Sequence, residues 1–208
     1  MDKKSEIIET LAKLDVARRQ LKESIILFFH EHDPIAIHTL AAAAHQILDD
    51  LARQKGVVSI RCNPLIRKGK EKFWKDKINA AQNFFKHADR DPGATFEFRP
   101  ALSCFFLMDA IRLCNEFNLE LPFPEGFLYI LWFSKKYEKE RIMEKTPTPA
   151  GQIYETVLRL FSEAGFDPDN FELMRLLLSG FQTLSYRRVH NEISQNGRKV
   201  QLESTTSA

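Results

Sequence analysis

The stretch DPIAIHTLAAAAHQILDDLARQKG (33–56) decides the fold. Its residues Ile37, Leu40, Ala41, Ala44, Leu48 and Leu51 fall on one side of a 3.6-residue period, the pattern of an amphipathic α-helix. Asp33 can accept from the first free N–H groups, Pro34 suits a first-turn position that needs no N–H, and Gly56 stands where a left-handed residue ends a helix. These signals predict a helix from Pro34 to about Lys55. Alanines at 41 to 44 keep one stretch thin, so a neighbouring helix can approach closely.

Working outward, Ile7, Leu11, Leu14, Leu21, Ile25 and Phe28 mark a helix over about 3–31, with Arg18 in the one non-apolar slot. Downstream, VVSIRCNPLIRKG (57–69) is irregular, with a short extended piece expected at Val57 to Ile60. A helix follows over about 70–88, with Trp74, Ile78, Ala81 and Phe85 on one line, and Asp89 to Gly93 ends it in a turn. After an extended TFEF (95–98), the helix at about 101–117 is apolar nearly all round, which predicts the most buried element. A fifth helix is expected over about 125–143, apolar first and charged later. The reading is an all-α, up-and-down bundle of about five helices spanning 1–145. A C-terminal helical pair (146–193) packs on it and a disordered tail (194–208) follows, with TPTPAG (146–151) as the linker.

Composition agrees. The 208 residues carry 44% hydrophobic side chains and 17 Phe, enough for a core, and a net charge of +2, which excludes bulk disorder. Cys62, Cys104 and Cys114 are too few for a disulfide scaffold and lack metal-type spacing, so they read as reduced thiols of a cytoplasmic protein. No apolar run approaches the roughly 18 residues of a membrane span, and the start, MDKKSEIIE, has no apolar region of a signal peptide.

The near-neutral total hides an uneven distribution. Between Arg61 and Arg90, nine basic residues face three acidic ones, a local excess of six. Basic residues around Phe73 and Trp74 are the composition of a surface that contacts phosphates and stacks bases. The line Trp74 shares with Ile78, Ala81 and Phe85 instead points its ring to the core, leaving the lysines as a solvated face, and this second reading is favoured.

Histidines supply the next signal. His38, His45 and Asp49 lie at i, i+7 and i+11, one face of the second helix, and would line a small-molecule or metal site. At about 1.5 Å per residue the two rings start roughly 10 Å apart, too far to share an ion, so a helix interface with hydrogen-bonded imidazoles is the favoured reading and no metal or cofactor is expected. His30, Glu31, His32 and Asp33 resemble a metal cluster only in the string, because neighbours diverge around a helix. The densest cluster is QNFFKHADRDP (82–92): Asn83 and His87 share a face, and Lys86, His87 and Arg90 gather at a helix end. That set would serve as a general-base His87 oriented by Asn83, or as an anion site of Lys86, His87 and Arg90. Phosphate-loop, serine-elbow, HExxH and di-iron signatures are absent, which removes most familiar enzyme classes.

AIHTLAAAAHQILDDL (36–51) and NFFKHADRDP (83–92) resemble a family of small bacterial all-helical proteins with no assigned activity, over about residues 10–133. The second stretch also resembles the HEPN domains, helical bundles that dimerise and bind or cut RNA, whose motif is an Arg, then a polar residue, then a His. Asn83 and His87 match the last two, while Gln82 stands where the Arg belongs. The likeness implies a homodimer that binds RNA or a protein partner. Without the guanidinium that holds a phosphate bidentately it leans away from catalysis. A regulatory protein-interaction module, with Arg18 facing a partner or an acid, is the other reading.

Overall fold

Asp33 caps its helix as its position predicts: Oδ1 accepts from the N–H groups of Ile35 (2.8 Å) and Ala36 (3.1 Å). The helix it opens, α2, is the centre of the fold. In the computed structural model, residues 8–62, 68–89, 91–117, 124–137, 156, 159, 160, 163, 165, 167–181 and 183 are described. Their elements run α1 (Lys13–Phe29), α2 (Pro34–Arg53), a 3-10 turn (Ile60–Cys62), α3 (Glu71–Lys86), α4 (Leu102–Asn115) and α5 (Pro124–Lys136). No strand occurs among the described residues, and the architecture is an all-α bundle.

α2 ends as Gly56 predicts. Gly56 takes φ +73°, its N–H donates to Arg53 O (3.0 Å), and Val57 N–H donates to Ala52 O (3.1 Å), closing the helix through a left-handed residue. The same closure ends α1, where Glu31 takes φ +53° and His32 N–H donates to Leu27 O (3.0 Å). The string His30 to Asp33 is therefore a terminating turn and a cap.

α1 lies along α2, and α2 lies along α4, with α5 against α1 and α4. Ala41, Ala42 and Ala44 are fully buried, as a close helix approach requires. Phe29, Tyr129, Trp132 and Phe133 form the aromatic end of the core, and the Tyr129 hydroxyl donates to Cys104 O at 3.0 Å. Each such ring removed from water stabilises the fold by about 1.5–3 kcal/mol. α4 is buried nearly all round, as expected, and holds both buried cysteines.

Three expectations change. α1 begins at Lys13 and residues 8–12 are not helical, because Ile8 and Leu11 are exposed and no packing stabilises a helical extension there. Val57 to Ser59 is irregular and leads into the 3-10 turn. Trp74, expected in the core, lies at its margin, 37% exposed.

The chain divides into two compact units, Met1–Ile142 and Met143–Ala208. In the second, residues 171–181 are helical, entered through Asn170 Oδ1, which accepts from Leu173 N–H at 3.3 Å. The expected linker 146–151, the tail 194–208, residues 138–143 of the expected fifth helix and most of the expected helix 152–164 lie outside the described residues.

Candidate functional site

α2 turns His38, His45 and Asp49 to the interior, all three buried. Their common face, set by spacing, meets α4, the 57–62 segment and α3. His45 Nε2 lies 2.6 Å from Asp109 Oδ2, and His38 Nδ1 meets Ser103 Oγ at 3.0 Å. Both imidazoles touch the Phe106 ring edge-to-face, with centroids 5.2 and 5.3 Å away. Phe85 and Phe98 complete an apolar wall around His38.

Asp109 is the hub of this layer. Oδ2 also accepts from Ile60 N–H at 3.0 Å, and Oδ1 accepts from Arg112 Nε and Nη2 at 2.9 and 2.8 Å. Burial pushes its carboxyl up, but the bond and charge of His45, the Ile60 N–H and Arg112 together hold it below its ordinary value. An ionised Asp109 can only accept, so His45 donates from Nε2. Burial pushes His38 the other way, down to about 4, which keeps it neutral.

The 57–62 segment is strapped across this layer by polar bonds. Arg112 Nη2 donates to Val58 O (2.6 Å) and Trp74 Nε1 donates to Ile60 O (2.7 Å). Arg61 is buried, donating to Gln46 Oε1 and, at 2.9 Å, to Gln82 Oε1. Asp49 is held by Arg53 Nη2 at 2.7 Å. Three arginines and three aspartates, counting Asp50, gather around His45; Arg53, Asp50 and Arg112 reach the surface, and the buried His38 Nε2, His45 Nδ1, Asp49 Oδ1 and Arg61 Nε make no hydrogen bond among the described residues.

The outward side of α3 differs. Lys70, Phe73, Trp74 and Lys77 stand at i, i+3, i+4 and i+7, one helix face, with Phe73 60% and Trp74 37% exposed. Lys77 Nζ lies 5.8 Å over the Phe73 ring, and Lys68, Lys72, Lys75 and Lys86 are exposed as well. Further along, Phe96 stacks on Phe84 at 5.3 Å.

These positions correct the basic-stretch reading twice. Arg61, counted with the surface charge, faces inward. Trp74, placed on the core line by its spacing, is 37% exposed and spends its N–H on the strap. Of the cluster at the end of α3, Asn83 and Lys86 are exposed, His87 Nδ1 lies 3.8 Å from Asp89 Oδ1, and Arg90 lies outside the described residues. His87 therefore sits at the surface, apart from the interior contacts of His38 and His45. Among the described residues no group of three or more His, Cys, Asp or Glu side chains is arranged to hold a metal ion.

Sequence reasoning missed Asp109. A lone acid in the apolar run LSCFFLMDAIRLCN (102–115) needs a partner wherever it is buried, and Arg112 three residues on was the second half of that signal. No protein-family model, curated protein or solved structure matches this chain.

Proposed function

We propose that this helical protein binds RNA through the outward face of α3, as a binding module without strand cleavage. The observation that carries the reading is the exposure of Phe73 and Trp74 between Lys70 and Lys77. A ligand that covers water-facing aromatic rings gains free energy by removing their surface from water, and lysines alongside select a polyanion. The described exposed charge from Lys68 to Asp89 is six lysines against Glu71, Asp76 and Asp89, so the segment stays basic after Arg61 is removed from the count, and Lys70 and Lys77 are the two that flank the rings. Asn83, Lys86 and His87 lie at the end of α3 on other sides of the helix, Lys86 being turned about 180° from Lys77. Gln82, at the position where a HEPN nuclease carries its arginine, is turned inward onto Arg61, which supports binding over cutting.

Fluorescence anisotropy of a labelled RNA across a salt series tests this. The affinity should fall steeply as salt rises, and the RNA should be recovered intact. Absence of binding even at low salt removes the reading, and cleavage that His87→Ala abolishes without unfolding the chain would replace it with a nuclease.

A further inference from the structure

The polar group of Trp74 is already used, and that narrows the ligand. Its Nε1–H donates to Ile60 O at 2.7 Å, and Ile60 N–H donates to Asp109, so the indole is tied to the buried network through one peptide. What the ring offers outward is apolar surface in a fixed orientation. Phe73 beside it has no polar atom at all, and it is the most exposed aromatic ring on α3. Such a pair has nothing with which to read a groove edge. It can stack against flat apolar faces, and in a duplex those faces are covered by neighbouring base pairs.

Resting on the reading above, we infer that the Lys70, Phe73, Trp74, Lys77 face takes unpaired nucleotides: bases stack on Phe73 and Trp74 while Lys70 and Lys77 neutralise the adjoining phosphates. The Phe84 and Phe96 stack lies about three turns further along α3, roughly 16 Å, and gives the same strand a second apolar platform. Trp74 is the positioned element of the site, because the strap holds its plane before any strand arrives.

The full chain should be titrated at one fixed low salt with a twelve-nucleotide oligouridine, a twelve-nucleotide oligothymidine and an RNA duplex of matched length. Trp132 is buried, so quenching of tryptophan emission reports Trp74. Single strands are expected to quench and to bind at least tenfold tighter than the duplex. Phe73→Leu, at an exposed position that leaves the fold intact, should weaken the single strands roughly five- to a hundredfold and leave duplex affinity unchanged. A preference for uridine over thymidine assigns the strand as RNA, and equal affinity assigns the shared base and phosphate chemistry; both support the proposal. Duplex binding as tight as single-strand binding, unaffected by Phe73→Leu, overturns it while the phosphate-binding reading stands. No binding by any probe overturns both.

Discussion

His45 Nε2 and Asp109 Oδ2, 64 residues apart in the chain, meet at 2.6 Å inside the bundle with both side chains buried. This bond ties α2 to α4, and through Ile60 and Arg112 it also sets the course of the 57–62 segment. Asp109→Ala would leave His45, Arg112 and the Ile60 N–H without their acceptor and should cost about 3–5 kcal/mol. His45→Ala should cost less, because Asp109 keeps the Ile60 N–H and both Arg112 donors. In a double-mutant cycle by urea unfolding the pair should couple by more than about 1 kcal/mol; additive losses would mean the bond contributes nothing beyond packing.

His38 makes the fold sensitive to mild acid. Its folded value, about 4, lies below the ordinary 6.5, so between those values the unfolded chain binds a proton that the folded chain refuses. Its stabilisation is therefore complete above pH 6.5 and is lost as pH falls toward 4, by on the order of 3 kcal/mol. Asp109, held below 3.8, adds acid sensitivity only at lower pH. Denaturation midpoints measured from pH 7 to pH 4 should fall in the wild type and stay flatter in His38→Gln. An identical slope in the two proteins would assign the acid loss to other groups.

Arg61 and Lys77 belong to one basic stretch and should behave oppositely. Arg61 is buried between Gln46 and Gln82, so Arg61→Ala should destabilise by about 2–4 kcal/mol and leave the salt dependence of RNA binding unaltered. Lys77 is exposed, so Lys77→Ala should leave stability within about 0.5 kcal/mol and reduce the salt slope by about 1. Thermal melts paired with binding isotherms separate the two effects.

Glu31 holds a left-handed conformation (φ +53°) that glycine adopts freely. Glu31→Gly should stabilise the protein by about 0.5–1 kcal/mol, a rise in urea midpoint with an unchanged slope. A loss instead would show that the glutamate side chain contributes more than its backbone costs.

Asp33 supplies the acceptor for two N–H groups at the start of α2. Asp33→Ala should cost about 1 kcal/mol and Asp33→Ser much less, read by the same unfolding measurement. Equal losses in the two variants would mean that the cap bonds are not the source.

The helices, their caps and the alanine seam were legible in the sequence because each is local. Residues 33 to 56 carry their own period, acceptor and terminating glycine, and α4 declared its burial by being apolar nearly all round. Periodicity also placed His38, His45 and Asp49 on one face. It could not name what they would meet, because the phase of a helix about its own axis says nothing about which neighbour arrives. Only tertiary structure brought Asp109 to His45 and Ser103 to His38. Arg61 lies on an irregular segment with no period to read, so its inward turn depended on Gln46 and Gln82 closing around it. Trp74 shares the phase of the buried Ala81, yet it keeps 37% of its surface exposed while its indole N–H is held by Ile60 O. Whether a side chain on the right face is covered is a property of the assembled fold, and here it separates a buried polar interior from an exposed aromatic and basic surface.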